Sequence, residues 1–395
     1  MTKRRTAVLI LLLGLASGSA VRAATREDSH IARIERDIAP SSQVPGQPVA
    51  PQTLEAAMAA HHVPALSIAV VDGGRIVWAK AYGLADVAAG RPATVHTAFQ
   101  AGSISKPVSA SVALRLVEQG RLALDRPINE ELTSWRVPDN AFTVNSPVTL
   151  RRLMSHTAGL TVHGFPGYAA GTPIPSVVEV LHGGPPANTP AVVVDRRPGT
   201  EWNYSGGGFT VAQQAMTDVT HQPFAALAER LVLDPVGMAD STYDQPPSRL
   251  PATVTATGYT AAGVAVPGRY HIYPEAAAAG LWTTPTDLAK WAIALQRAYA
   301  GQATPLMSRA TAKAMLTPGL GKWGLGIGVD GEGDTLRFSH GGDDWGFKAA
   351  MVGYLTGGRA VVVMTNGDAG FTVIEPLVRA VAREYGWKGL EPETK

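Results

Sequence analysis

The chain has 395 residues, of which 45% are hydrophobic and 17% are charged, and its formal net charge is +2. This composition is typical of a globular protein with a substantial core, and the length predicts about two lobes or domains. The small net charge excludes a strongly basic protein, so no nucleic acid is expected as a partner. The chain has no cysteine, which excludes disulfides, thiolate zinc sites and a thiol nucleophile.

Residues 1–23 are predicted to be a secretory signal peptide. A basic segment at residues 3–5 precedes an apolar run at residues 7–15, and a cleavage site follows Ala23. The apolar run is shorter than the ~20 residues that span a bilayer, so a membrane anchor is the less favoured alternative. We therefore expect an exported protein, periplasmic or secreted, with no stable membrane span after the signal is removed.

An arm and a hairpin are predicted to follow the signal peptide. Residues 24–52 are polar and then rich in proline, which predicts an N-terminal arm or linker. A helix is predicted from Leu54 to His61. The apolar run from Ala65 to Val71 and the β-formers from Arg75 to Tyr82 flank Asp72-Gly73-Gly74. This pattern predicts two strands joined by a tight turn.

The middle of the chain is predicted to be mainly helical. Helices are predicted at Pro107 to Gly120, Leu150 to Ser155, Ser176 to Leu181, Phe209 to Val219, Phe224 to Leu233, and Pro285 to Ala298 with Thr284 as N-cap. The segment from His163 to Thr200 is rich in glycine and proline and has little periodic pattern. Long irregular segments of this kind often line binding sites, so we expect this one to shape the substrate pocket.

Strand patterns return near the C-terminus. Strands are predicted at Gly324 to Val329, Thr335 to Ser339, Phe347 to Leu355 and Ala360 to Thr365, followed by a helix at Val373 to Tyr385. Strands at both ends of the chain, with helices between them, predict an α/β (α+β) fold. One lobe is expected from about residues 53–105 and 270–395, with a mainly helical lobe, about residues 106–269, inserted into it.

The strongest candidate for a reactive centre is Ser103-Ile104-Ser105-Lys106, at the start of a predicted helix. Residues three apart share a helix face, so Ser103 and Lys106 are expected to lie side by side. A serine hydroxyl needs a base to take its proton, and a partly buried lysine can be that base. The helix N-terminus also offers N–H groups to a developing oxyanion. On its own, this spacing equally fits a capping serine and an exposed lysine.

Two downstream segments add candidate residues. Tyr204 precedes a run of glycines at residues 206–208. A phenol beside an ammonium can relay a proton, and glycines let the backbone approach a ligand closely. His340-Gly341-Gly342, at a predicted strand end before Asp343, can dock a substrate and lend an N–H to an oxyanion hole. Each segment alone also fits a structural role: a core tyrosine before a flexible turn, or a hairpin turn with a satisfied histidine.

The order and spacing of these three segments resemble those of the serine β-lactamase and penicillin-binding-protein-like hydrolases. The chain looks closest to the branch that holds class C β-lactamases, family VIII esterases, D-aminopeptidases and DD-peptidases. Further signatures of this branch are matched at residues 153–160, 235–238 and 279–288, and the resemblance extends over residues 53–387. It implies a β-lactamase-like fold, an antiparallel sheet flanked by helices with an inserted helical lobe.

The resemblance also implies a role for each matching residue. Ser103 would be the acylated nucleophile, and Lys106 would be its hydrogen-bonded base. Tyr204 would carry the proton to the leaving group and later activate water. His340, with Gly342 beside it, would occupy the place of the third-motif lysine or histidine. The backbone N–H groups of Ser103 and Asp343 would form the oxyanion hole.

Other residues match the family in part or not at all. His156 and Thr157 lie in a structural signature, and we expect a scaffold role for both. Gly206 stands where the second motif of β-lactamases has Asn, and His340 stands where the third motif has Lys. Both departures count against efficient β-lactam hydrolysis and fit an esterase or a peptidase acting on D-amino-acid substrates. No S-D-N triplet is present, which argues against class A β-lactamases.

The leading hypothesis is an exported serine hydrolase that cleaves ester or amide bonds through a Ser103 acyl-enzyme, without a cofactor or a metal ion. Its expected partner is a small ester or amide, or a peptidoglycan-type peptide. One alternative is a β-lactamase or a D-alanyl-D-alanine carboxypeptidase, and another is a catalytically weak protein that binds peptidoglycan peptides. A metallohydrolase is disfavoured because the ten histidines are scattered, without H-E-x-x-H spacing. The natural substrate and the oligomeric state stay open.

Overall fold

The structure is a computed structural model that describes residues 27–38 and 51–390. The predicted signal peptide therefore lies outside the described residues, and so does part of the predicted arm. Within the described ranges, no helix is long and apolar enough to cross a membrane. In the same ranges, no group of three or more His, Asp and Glu residues could hold a metal ion.

A seven-stranded antiparallel sheet forms the centre of the molecule, in the order β3-β2-β1-β9-β8-β7-β6. Its strands are β1 (Ala65–Asp72), β2 (Arg75–Asp86), β3 (Arg91–Pro92), β6 (Gly328–Asp330), β7 (Arg337–Asp344), β8 (Phe347–Tyr354) and β9 (Ala360–Thr365). A separate two-stranded sheet pairs β4 (Phe99–Gln100) with β5 (Trp282–Thr283). Because β1 pairs with β9, the two ends of the chain meet in the middle of the main sheet. The predicted fold class is confirmed.

The two faces of the central strands pack into different core layers. β1 and β9 are almost continuously apolar and buried, as expected for strands covered on both faces. Alternate residues of a strand point to opposite faces. Ala65 and Ala69 accordingly pack with the first core cluster, and Leu66 and Ile68 pack with the second. The main sheet is thus sandwiched between helices.

Helices cover both faces of the sheet and fill the middle of the chain. They are α1 (27–36), α2 (Leu54–Ala60), α3 (Ser105–Glu118), α4 (Leu150–Met154), α5 (Val177–His182), α6 (Gly206–Thr220), α7 (Phe224–Ala228), α8 (Asp234–Val236), α9 (Ala276–Ala279), α10 (Pro285–Ala300), α11 (Arg309–Leu316) and α12 (Phe371–Tyr385). α10 packs against β1 and β9 on one face, and α12 packs against β8 and β9 on the other. α3 lies among α6, α7 and α9, so it is buried on nearly all sides.

Two of the predicted C-terminal strands have different bounds in the structure. The strand predicted at Thr335 to Ser339 begins at Arg337 and continues to Asp344, because residues 333–335 form a 3₁₀ turn closed by a capping box. The strand predicted at Gly324 to Val329 is reduced to Gly328–Asp330. Its first residues bond to helix ends instead, as the Gly326 N–H donates to the Met154 carbonyl at 2.8 Å.

Part of the predicted arm is a folded element. Residues 27–36 form α1, and Ile34 and Ile38 are buried with the second core cluster. Glu35 accepts hydrogen bonds from Lys80 and from the Tyr82 hydroxyl, the latter at 2.8 Å. Residues 24–52 were predicted to be an arm or linker, and residues 27–38 of this stretch are a folded arm, because apolar residues spaced for one helix face give it a buried side.

Candidate active site

Ser103 lies in a 3₁₀ turn, Gly102–Ile104, that leads directly into α3. The middle of β7 lies directly against this turn. A Cβ atom on Gly102 would collide with the backbone nitrogen of Asp343, and one on Gly342 would collide with the carbonyl of Ala101. Gly102 also has a φ of 51°, a left-handed conformation that favours glycine. Both glycines therefore permit the close approach that brings the Asp343 backbone next to the serine.

Lys106 is buried one helical turn after Ser103. Its Nζ donates a hydrogen bond to Ser103 Oγ at 2.9 Å and another to the Ala278 carbonyl at 2.8 Å. Only 2% of Lys106 is exposed, although its stem lies at the start of a helix. The short helix α9 supplies the second acceptor and so fixes the direction of the side chain. The structure brings together the predicted serine and lysine.

Tyr204 lies in the same cleft, immediately before α6. The Lys106 Nζ lies 5.0 Å from the centre of its ring. Among the described residues, no hydrogen bond joins the Tyr204 hydroxyl to Ser103 or Lys106. The phenol is therefore near the pair but not bonded to it.

The glycines after Tyr204 form the first turn of a helix. α6 begins at Gly206 rather than at the predicted Phe209, because the Ser205 side chain caps the helix by accepting from the Gly208 N–H at 3.0 Å. A Cβ atom on Gly206 would lie 2.9 Å from the Phe165 ring. The glycine at this position thus allows α6 to pack closely against the preceding loop.

His156 contacts the Tyr204 ring and the backbone on either side of Tyr204 in the sequence. Its ring packs on the Tyr204 ring with 4.2 Å between centroids. Its Nδ1 accepts from the Ser205 N–H at 3.1 Å, and its carbonyl accepts from the Asn203 N–H at 2.7 Å. Burial, reinforced by the charge of Lys106, holds the pKa of His156 well below its ordinary value, so the ring is neutral and Nδ1 can accept. A scaffold role was expected for His156, and these contacts indicate that the residue positions Tyr204.

His340 is buried and neutral within β7. The third motif was predicted at a strand end, but the whole run from His340 to Asp344 belongs to the strand. Burial, followed by the charge of Lys106, lowers the pKa of His340 to about 3. Its Nδ1–H donates to the Gly341 carbonyl at 2.6 Å. The side chain therefore offers the site a neutral ring and no permanent cation.

Two buried carboxyl groups near the site were missed by sequence reasoning. Asp344 is 3% exposed, and neither of its carboxylate oxygens has a hydrogen-bond partner. Burial raises the pKa of Asp344 well above its ordinary value, although the charge of Lys106 opposes the shift. Glu275 is fully buried without side-chain partners, and burial raises its pKa to about 8. Alternation along β7 could have placed Asp344 on the His340 face, whereas no pattern in the sequence marks Glu275.

Two cavities meet at Ser103. The acidic cavity, of about 520 Å³, is lined among others by Ser103, Lys106, Tyr273, Asp343, Asp344 and Asp368. The aromatic cavity, of about 330 Å³, is lined among others by Ser103, Tyr204, Trp323, His340, Asp343 and Phe371. Ser103 and Asp343 border both. Only residues 164–166 of the long irregular segment, at its start, line the acidic cavity, so that segment shapes the pocket less than predicted.

Comparison with known proteins identifies the family. The profile of the Beta-lactamase family matches residues 50–383, which is most of the chain. The chain belongs to the Beta-lactamase family. This confirms the family predicted from the motifs.

Individual members of the Beta-lactamase family are similar over shorter stretches. Esterase EstB of Burkholderia gladioli is 34% identical over 181 residues, which is 43% of this chain and 44% of EstB. A beta-lactamase of Pseudomonas fluorescens is 28% identical over 243 residues, covering 61% of this chain and 62% of that protein. Across the curated relatives that it matches, the chain spans about half of their length, as for EstB at 44%.

A solved structure supports the fold independently. The octameric penicillin-binding protein homologue from Pyrococcus abyssi superposes with a TM-score of 0.71 at 23% identity, covering 86% of this chain and 78% of that chain. At this level of identity the likeness concerns the fold alone. It agrees with the antiparallel sheet and helices described above.

Proposed function

We propose that the protein is an exported serine hydrolase that cleaves ester or amide bonds through an acyl-enzyme on Ser103. The observation that carries this proposal is the 2.9 Å hydrogen bond between Lys106 Nζ and Ser103 Oγ, with the Asp343 backbone beside it. A nucleophile paired with a base and flanked by backbone N–H groups is the arrangement that acyl transfer needs.

In acylation, Lys106 acts as the base that takes the Ser103 proton as Oγ attacks the carbonyl carbon. The carbonyl oxygen becomes an oxyanion, which the N–H groups of Ser103 and Asp343 stabilise. The bond to the leaving group then breaks, and Tyr204 gives that group a proton, which Lys106 replaces. In deacylation, Tyr204 takes a proton from water as its own proton passes to Lys106, and the hydroxide attacks the ester carbonyl. The bond to Ser103 Oγ then breaks, Lys106 gives its proton to Oγ, and the acid leaves.

The charges near Ser103 favour esters and simple amides over β-lactams. A lysine in the third motif would supply a permanent cation for a substrate carboxylate, whereas His340 is neutral because burial lowers its pKa to about 3. Gly206 removes a side-chain amide that would bond an acylamino group. The likeness to the esterase EstB points in the same direction. β-lactamase or D-alanyl-D-alanine carboxypeptidase activity is the alternative.

Export is part of the proposal and rests on the pattern of residues 1–23. It predicts that the full chain, expressed in a Gram-negative host, appears in the periplasm or medium with a new N-terminus near Ala24. N-terminal sequencing of the exported protein checks this. A cytoplasmic protein that retains its first residues would contradict export.

Turnover of a substrate panel tests the activity. Three substrates are used: phenyl butanoate, nitrocefin and a D-alanyl p-nitroanilide. Turnover of each is measured with the wild type, with Ser103→Ala, and with the control Ser248→Ala, which changes an exposed residue. We expect ester turnover that is lost in Ser103→Ala by a factor on the order of 10⁴ and kept in Ser248→Ala. Nitrocefin turnover far above ester turnover would favour the alternative. No turnover of any substrate by folded protein would contradict the proposed function.

A further inference from the structure

We propose that Asp344 recognises a cationic amine on the acyl part of the substrate, so that the enzyme prefers esters or amides whose acyl group carries an ammonium. This inference rests on the proposed function and names its substrate class. In the proposed function, Tyr204 protonates the leaving group, and Tyr204 lines the aromatic cavity. The leaving group therefore lies on that side, and the acyl group extends into the acidic cavity, where Asp344 lies.

Asp344 is a buried acceptor without a side-chain partner. It is 3% exposed, it lines the acidic cavity, and no side chain bonds either carboxylate oxygen, although the Gly102 backbone N–H lies near enough to favour the carboxylate. A buried polar group without a partner is destabilising, and a buried charge without one more so. Burial holds the carboxyl protonated in the free enzyme by raising its pKa. A bound ammonium would supply the missing partner and favour the carboxylate.

The nearby lysines already have partners. Lys348 Nζ contacts the carboxylates of Asp343 and Asp368 at 2.8 Å each, and it donates to the Asp344 backbone carbonyl at 3.2 Å. These three contacts account for its three hydrogens. Lys106 is held by Ser103 and Ala278, although its charge reaches Asp344. Neither lysine forms an ion pair with the Asp344 carboxyl.

The rest of the acidic cavity also favours a cation. Of the described residues that line it, three carry carboxyl groups, Asp343, Asp344 and Asp368, and Lys106 is the only lysine. Lys348 pairs with Asp343 and Asp368, which leaves the Asp344 carboxyl for a substrate cation. Tyr273 and Trp345 present aromatic rings to the same space, and ring faces attract ammonium groups. The Tyr273 hydroxyl accepts from the Trp345 backbone N–H at 3.2 Å, which fixes the Tyr273 side chain next to this part of the strand end. A substrate ammonium would thus meet a carboxyl and aromatic faces together.

Two matched esters measure the effect of the ammonium group on turnover. Phenyl 3-aminopropanoate and phenyl butanoate differ by NH₃⁺ in place of CH₃, and the spontaneous hydrolysis of each is subtracted. We expect wild type to have a kcat/KM at least ten times higher for the amino ester, mainly through a lower KM. Asp344→Asn, which keeps the size of the side chain, should abolish this preference, so that the ratio of the two kcat/KM values falls to about one. The control, Asp334→Asn, removes an exposed acid from the turn before β7 and should change neither ester.

Several outcomes would overturn the inference. One is a wild type without preference for the amino ester. Another is an equal loss of both esters in folded Asp344→Asn, because that result would mean that the residue acts through Lys106 or the fold. If Asp344→Asn does not fold, calorimetric binding of the two esters to Ser103→Ala decides, and equal affinities would contradict recognition of the amine. Failure of the proposed function is distinguishable, because then wild type would not cleave phenyl butanoate at all.

Discussion

The acidic cavity and the aromatic cavity share Ser103 but differ in the proton-handling group that each contains. Lys106 lines the acidic cavity and is bonded to Ser103, whereas Tyr204 lines the aromatic cavity and is not bonded to it. The residue proposed as the base is therefore already bonded to the proposed nucleophile. Tyr204, proposed as the proton donor to the leaving group, lies on the other side, in the aromatic cavity. The leaving group would have to fit there.

The two cavities also differ in how their polar groups are satisfied. Tyr204 is held by the neutral ring of His156, and His340 bonds its own strand through Nδ1 while its Nε2 has no partner. In the acidic cavity, the unpaired group is a carboxyl, because no side chain bonds either carboxylate oxygen of Asp344. A buried carboxyl without a side-chain partner is where a cationic substrate group is expected to bind. We therefore expect the acidic cavity to determine which acyl group binds and the aromatic cavity to hold the leaving group.

Removing the base should have the largest effect. Lys106→Met keeps much of the buried volume and removes the amine, so acylation should slow by about 10²–10⁴-fold. Stopped-flow acylation with phenyl butanoate measures it, with the melting temperature as a check on folding. Lys313→Met, at an exposed site on α11, is the control and should acylate like wild type. A Lys106→Met enzyme within tenfold of wild type would remove Lys106 from the mechanism.

Removing the phenol should give a smaller effect that depends on the leaving group. Tyr204→Phe keeps the ring packed on His156 and loses only the hydroxyl. We expect about 10²-fold slower cleavage of an ethyl ester, whose alkoxide needs a proton, and less than a tenfold loss with a p-nitrophenyl ester, whose phenolate does not. The ratio of the two rates in each enzyme is the measurement. An equal loss with both esters would place Tyr204 outside leaving-group protonation.

The aromatic cavity should select the alcohol part of an ester. Phe371→Ala removes part of its apolar wall, so kcat/KM for a bulky benzyl ester should fall about tenfold relative to the methyl ester. Trp345→Ala, in the acidic cavity, is the matched change on the other side and should leave that ratio unaltered. A reversed pattern would mean that the two cavities hold the opposite parts of the substrate.

The smallest expected effect concerns stability. Burial raises the folded-state pKa of Glu275 to about 8, above its ordinary value of 4.5, so the folded protein binds a proton that the unfolded chain releases. The free energy of unfolding should therefore fall as pH rises from about 4.5 to about 8, by up to about 1.4 kcal/mol per pH unit from this group. Urea unfolding at several pH values should give a shallower slope for Glu275→Gln. Glu55→Gln, at an exposed position, should keep the wild-type slope, and an unchanged slope in Glu275→Gln would contradict the prediction.

Local patterns predicted the parts of the site that depend on neighbours in sequence. The pairing of Ser103 with Lys106 follows from three-residue spacing at a helix start, and the structure has the two side chains bonded. β9 was predicted with its observed bounds, because a continuous apolar run is a strong signal. The roles assigned to the other candidate residues stay predictions. All of them line the aromatic cavity next to Ser103: Tyr204, His340, Gly342 and Asp343.

Features that depend on tertiary contacts were out of reach. Glycines at 341 and 342 interrupt the apolar alternation of β7, so its extension to Asp344 and the inward direction of that carboxyl were missed. The run from Gly206 indicated a flexible turn, whereas a close loop makes it the first turn of a helix. In both cases glycine is required by the approach of another segment, which local propensity does not encode.

The most direct test of the central claim is covalent labelling of the protein with a fluorophosphonate probe, followed by mass spectrometry of its peptides. The account predicts a single modified residue, Ser103, with labelling that is abolished in Ser103→Ala and much slower in Lys106→Met. Labelling at another serine, or full labelling of Ser103→Ala, would contradict it.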